Sequence, residues 1–192
     1  MEQRYDRVAI ALHWVMALAI ITMIVMGLVM EDVRPIALRI QVYQFHKSLG
    51  LTVLFLSLVR LGWRLAHPAP SYPAHMKPWE KLAAHATHWG LYALMVAMPL
   101  SGWLLISTGS NKFPTLYFGL FNVPKLDFFG EASKAVHHYA AQAHELLPNI
   151  AIAMLVLHVL AALKHHFLDR DNVLTRILPR FMLAALTRRS HA

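Results

Sequence analysis

Residues 146–163, LLPNIAIAMLVLHVLAAL, carry no charged side chain, and a run this oily constrains the chain more than any other feature. With no water to satisfy its backbone, such a stretch crosses a bilayer only as a helix. Two histidines mark it: His158 lies inside the run and His144 just before it, fourteen residues apart. Fourteen residues advance about 21 Å along a helix axis and return to within roughly 40° of the same face. One helix thus aims two imidazoles in one direction at two depths, where a polar ring needs a partner.

The whole chain is 57% hydrophobic and only 15% charged over 192 residues. That balance is far too apolar for a soluble domain of this length and fits a compact membrane bundle. The absence of cysteine excludes disulfides, iron–sulfur clusters and covalent c-type heme attachment. A net charge of +8 could suggest nucleic acid, but the basic residues gather at segment ends. No basic stripe with interleaved aromatics occurs, so no nucleic-acid partner is expected. The N-terminus, MEQRYDRVAIALHW, lacks a short apolar run ending in small residues, so the first apolar segment is expected to be retained as a span.

Four segments are long enough to cross a hydrocarbon core of about 30 Å: roughly 8–30, 41–63, 82–107 and 136–167. They predict one all-α domain over 1–192, an integral membrane four-helix bundle. Connectors 31–40 and 68–80 are rich in proline and charge. The longer loop 108–135, with its aromatics and prolines, reads as a folded cap at the membrane interface. The tail after Asp169 is polar and basic, with a short interfacial helix expected over LPRFMLAAL. Four spans put both termini on one side. That side holds Arg4, Arg7, Arg60, Arg64, Lys77, Lys81, Lys164, Arg170, Arg176, Arg180, Arg188 and Arg189, against Arg34, Arg39, Lys47, Lys112, Lys125 and Lys134 opposite. The excess predicts both termini in the cytoplasm and 108–135 in the periplasm.

Topology then gives each histidine a depth. His13, early in an outward-running helix, and His158, near the basic end of the fourth, fall in the inner half of the membrane. His46, early in the inward-running second helix, and His144 fall in the outer half. Two cross-helix pairs result, His13 with His158 and His46 with His144, and a bis-histidine b-type heme takes one such pair per iron. Two heme b groups are therefore expected. Gly27 and Gly50 fall where a macrocycle would approach the backbone. Arg60, at the inner depth, could neutralise propionates or simply anchor a helix end. His85 and His88 lie near the inner pair and could replace one of its members. His137 and His138 belong at the outer interface, His165 and His166 at the inner surface, and His67, His75 and His191 in loops. Zinc fits less well, since no HExxH, acidic ligand or cysteine joins the pairs.

With these residues placed, the chain resembles the bacterial cytochrome b561 family, small four-helix diheme proteins of the inner membrane. The resemblance runs through RVAIALHW, FHKSLG, LVRLGWRLAHPAP, AAHATHWGLYALMVAMPLSGW, AHELL, LHVLAALKHHF and DNVLTRILPR. It implies His13, His46, His144 and His158 as axial ligands to heme iron. Some members are superoxide:ubiquinone oxidoreductases, which implies superoxide as donor and ubiquinone as acceptor. Outer-side Lys47, Lys112, Lys125 and Lys134 could then draw in the anion, and His165, beside Lys164, could hydrogen-bond a quinone and relay a proton. The same helix pattern recurs in cytochrome b subunits of hydrogenases and formate dehydrogenases. The alternative is therefore an electron-transfer subunit joining the quinone pool to a small periplasmic redox protein. A purely structural adaptor would leave the paired histidines without a purpose.

Overall fold

A computed structural model describes residues 4–109, 114–126 and 128–189. Four long helices, α1 (Arg7–Val29), α2 (Ile36–Ala66), α3 (Pro78–Thr108) and α4 (Ser133–Phe167), are long and apolar enough to cross a membrane. The chain is thus a multi-pass membrane protein built as a helical bundle. All four spans expected from sequence are present. The helices run past most of the expected limits because polar turns continue them beyond the hydrocarbon.

Local chemistry starts each helix. Asp6 caps α1 by accepting from Ala9 N–H at 2.9 Å, which satisfies one of the unpaired first-turn donors. Its other oxygen accepts from Trp63 Nε1 at 3.1 Å, tying the start of α1 to the end of α2. Pro78 opens α3 where its missing N–H costs nothing, and Glu80 reaches back to accept from Lys77 N–H at 3.0 Å.

The helices pack in chain order, α1 on α2, α2 on α3 and α3 on α4. Ser48 and Ser57 of α2 are fully buried. Both return their hydroxyls to their own helix, at Gln44 O and Val53 O, so α2 presents small, satisfied side chains to its neighbours. Many large apolar residues face outward, among them Val15, Leu18, Leu28, Phe55 and Leu160. In lipid that exposure costs nothing, because the solvent is as apolar as they are.

The cap folds as a short hairpin, β1 (Leu116–Tyr117) with β2 (Phe121–Asn122), followed by a 3-10 turn at Gly130–Ala132. The hairpin lies on α2: Ser48 Oγ accepts from Phe118 N–H at 2.9 Å, and Thr52 Oγ1 meets the Tyr117 hydroxyl at 3.0 Å. The tail departs from expectation. Residues 169–179 turn back beneath the bundle, where Tyr5 N–H donates to Arg176 O and Trp14 Nε1 to Ile177 O, and Leu178 is buried. Pro179 precedes the last helix, so α5 covers Arg180–Arg189 instead of starting at Leu178.

Candidate functional site

All four long helices line one cavity of about 1830 Å³. Eight histidines line it, among them His13 on α1, His46 on α2, His88 on α3, and His144 and His158 on α4. At one level His46 and His144 stand with ring centroids 6.2 Å apart. At the other, His13 and His158 are also 6.2 Å apart. A single metal atom bonded at about 2 Å to a nitrogen of each ring would separate two imidazole centres by roughly 6 Å. Each pair has room for one metal, and the elongated cavity has room for a planar group around it.

His46 gives a second, independent sign. It is buried, and among the described residues neither of its ring nitrogens has a hydrogen-bond partner. Leaving a buried polar atom unpaired costs about 1–3 kcal/mol, so such a ring calls for something that the protein itself does not supply. α1 passes His46 at Gly27, where a Cβ would stand 3.9 Å from His46 Cε1, an ordinary packing contact.

His144 is held from α3. Ser101 Oγ lies 3.0 Å from His144 Nδ1 and itself donates to Met98 O at 2.7 Å. Next to it, a Cβ on Gly102 would fall 2.8 Å from His144 Cε1, closer than packing allows. The Ser101–Gly102 pair therefore forms a flat seat for the imidazole. Sequence reading missed both residues; their one signal was a small, polar interruption in an apolar run.

At the other level Arg60 turns inward instead of anchoring a helix end. Its Nη2 donates to His13 Nδ1 at 3.3 Å, its Nη1 to Ala9 O at 3.2 Å, and its guanidinium carbon lies 5.9 Å from the Tyr92 ring centre. His88 reaches the cavity with its ring 5.4 Å from that of His158, nearly edge-on at 73°. His85 does not line the cavity; it accepts from Trp89 Nε1 at 3.0 Å on the outside of α3.

His165, expected at the surface, is 7% exposed and lines the cavity. The folded-back tail covers it. Its Nδ1 lies 2.7 Å from Asp171 Oδ2 and 3.1 Å from Asp169 Oδ2. Asp171 Oδ2 in turn lies 3.3 Å from Nε2 of His75, whose side chain is 61% exposed. His75 is therefore no idle loop residue. Burial would raise the Asp171 carboxyl, but the Val173 N–H and the His165 ring outweigh it and hold the group below its ordinary range. Lys164 is occupied, donating to Glu80 at 2.6 Å and Asp169 at 2.7 Å. Of the other lysines singled out from sequence, Lys47 lines the cavity, Lys125 and Lys134 are exposed, and Lys112 lies outside the described residues.

Comparison with known proteins agrees with this architecture. Residues 4–180 match the family described as prokaryotic cytochrome b561. The chain is 34% identical over 177 residues to cytochrome b561 homolog 2 of Escherichia coli (strain K12), covering 92% of each chain. It is 27% identical to the probable superoxide oxidase CybB of Yersinia pestis, covering 94% of this chain and 98% of the relative. It is 28% identical to cytochrome b562 of Cereibacter sphaeroides, covering 92% and 96%. A four-helix membrane bundle with facing imidazoles and a match along almost its full length together mean that the chain belongs to the prokaryotic cytochrome b561 family, membrane electron-transfer proteins that bind b-type heme.

Proposed function

We propose that this protein binds two b-type hemes, one between His46 and His144 and one between His13 and His158, and that it oxidises superoxide at one membrane face while reducing ubiquinone near the other. The observation that carries this reading is the matched 6.2 Å spacing of two imidazole pairs along one cavity. The bacterial inner membrane with both termini in the cytoplasm completes it, because the basic residues gather at the terminal end. Reporter fusions after Gly109 are then expected to be active in the periplasm and fusions after Arg189 in the cytoplasm; periplasmic activity at both would reverse the depths.

Two superoxide anions each give up one electron and leave as dioxygen, while one quinone takes two electrons and two protons to become quinol. The hemes supply the one-electron relay between the two half-reactions. The chain's own residues do the rest. Lys47, Lys125 and Lys134 supply positive field at the periplasmic face and raise the local concentration of an anion. At the opposite end His165 engages Asp171 through Nδ1, which leaves Nε2 to hydrogen-bond a quinone oxygen and deliver a proton. His75, exposed to water and bonded to Asp171, gives that proton a way in. The printed name of the Yersinia relative, a probable superoxide oxidase, points the same way.

Stopped-flow mixing of the oxidised protein with superoxide tests the reading. Heme reduction is expected to outrun spontaneous dismutation and to slow as salt rises, because the Debye length falls from about 10 Å at 0.1 M to about 3 Å at 1 M. Replacing the three lysines by glutamine should flatten that salt dependence, and His165→Ala should slow only reoxidation by quinone. The exposed Phe118, Leu120 and Phe121 of the hairpin favour a second reading, in which a small periplasmic redox protein docks there. That reading wins if such a protein reduces the hemes readily and superoxide does not.

A further inference from the structure

The two histidine pairs are contacted by different groups, a neutral hydroxyl at one and a guanidinium at the other, and this asymmetry gives the relay a direction. We propose that Ser101 makes the His46–His144 site the stronger reductant and Arg60 makes the His13–His158 site the stronger oxidant, so that electrons run from the first to the second. The proposal rests on the two-heme reading above.

The hydrogen bonds of Ser101 fix the state of His144. A hydroxyl has one proton to give, and Ser101 Oγ stands 2.7 Å from Met98 O, a carbonyl that can only accept. The proton goes there. The 3.0 Å contact with His144 Nδ1 is then made by a proton on Nδ1, which leaves Nε2 bare. Accepting the Nδ1 proton pushes electron density into the ring and strengthens it as a metal ligand. A stronger donor favours the oxidised iron and lowers the midpoint potential. Lys47 also lines the cavity at this level, but it bonds neither nitrogen of His46, whereas Arg60 stands 3.3 Å from a nitrogen of His13.

Arg60 has the reverse effect on His13. A guanidinium only donates and stays charged at any relevant pH. Its Nη2 stands 3.3 Å from His13 Nδ1, so a full positive charge lies against this ring. Ligation through Nε2 would put the ring proton on Nδ1, so Arg60 would no longer donate to that nitrogen and would keep its charge beside the ring through its bond to Ala9 O at 3.2 Å. A cation held this close favours the state carrying one more electron, by Coulomb attraction in a medium of low dielectric. Of the charges farther off, Arg64 and Arg176 line the same cavity, and Lys164, Glu80, Asp169 and Asp171 are bound within the tail network.

Redox titration of the heme-loaded protein in lipid nanodiscs tests the assignment. Two waves are expected, identified by which of them disappears in His46→Ala and which in His13→Ala, with the His13 wave at the higher potential. Arg60→Gln should lower the His13 wave alone by enough to change the heme-to-heme electron equilibrium about tenfold, or about 59 mV for a one-electron couple. Arg60→Lys should restore most of it. Ser101→Ala should raise the His46 wave alone, and Ser101→Thr should restore it. Ser101→Ala removes only one hydroxyl from a helix, so it decides the matter even if Arg60→Gln fails to load heme. Waves in the reverse order, or unmoved by both substitutions, or moving together in each, would overturn the proposal. One heme per chain would instead overturn the two-site reading beneath it.

Discussion

His46→Ala is expected to remove one heme equivalent per chain, read by pyridine hemochrome assay, and to leave the second in place. The sign of the accompanying stability change makes this a sharp test. His46 is buried with both ring nitrogens unpaired. If it held nothing, alanine would relieve an unsatisfied polar group, and the variant would be unchanged or more stable by about 1–2 kcal/mol. As an iron ligand, its loss instead empties the site, strands the facing His144 and lowers the melting temperature. His144→Ala should behave like His46→Ala, while His13→Ala and His158→Ala should remove the other equivalent. His88→Ala is the control. Its ring lies 5.4 Å from that of His158 at 73°, too close for an iron between them, so both hemes should remain. Loss of a heme from His88→Ala with both kept in His13→Ala would reassign the pair.

Much of this site is legible in the sequence because a helix converts spacing into depth. The fourteen-residue interval between His144 and His158 needs only the rise and period of an α-helix to place two rings on one face. His13 and His46 follow once the spans are ordered. Features that depend on how one helix meets another are not legible in that way. Ser101 and Gly102 read as ordinary members of an apolar run, and only the approach of α4 turns them into a seat for His144. Arg60 presents two readings in sequence, a helix-end anchor or an inward charge. The contact with His13 selects the inward one. His165 could be placed at the inner end of the fourth span, but its burial could not be read from its own neighbourhood. The tail that covers it comes after the last span, where polar composition suggests solvent, and it folds back through hydrogen bonds between its backbone and the first residues of the chain.

The bundle also explains why so much of its polar chemistry lies at two depths and its two ends. Within lipid, each ionisable group is costly unless paired or functional; Ser101 and Arg60 partner His144 and His13, while both nitrogens of His46 stay unpaired among the described residues. At the terminal end the tail encloses a second network, in which Lys164, Glu80, Asp169, His165, Asp171 and His75 satisfy one another. Distance separates the two sets of tasks. The His46–His144 pair lies about 21 Å along α4 from the level of His158, and the tail network lies beyond that again.

Asp171→Asn should therefore impair the quinone half-reaction and the tail while sparing the rest. Asp171 is 5% exposed at its side chain and holds three groups: the His165 ring at 2.7 Å, Val173 N–H at 2.9 Å and His75 at 3.3 Å. Hydrogen bonds to a charged group contribute about 2 kcal/mol each when buried, so local opening of residues 168–179 should become easier by roughly that amount, seen as faster amide exchange there. The pH dependence has a definite sign. The carboxyl of Asp171 is held below its ordinary value, so its stabilising contribution is complete above the usual carboxylate range, about pH 4, and is lost as pH falls through the lower folded value. Asparagine removes that acid-labile contribution, and the tail of the variant should loosen less in acid than the wild-type tail. In stopped-flow, the variant should accept electrons at the wild-type rate and pass them to quinone at least tenfold more slowly, since His165 loses both its orientation and its link to His75. His75→Ala should slow the same step with less effect on the tail, and added imidazole should restore part of it. Equal slowing of heme reduction and quinone reduction would mean that Asp171 acts only through the fold.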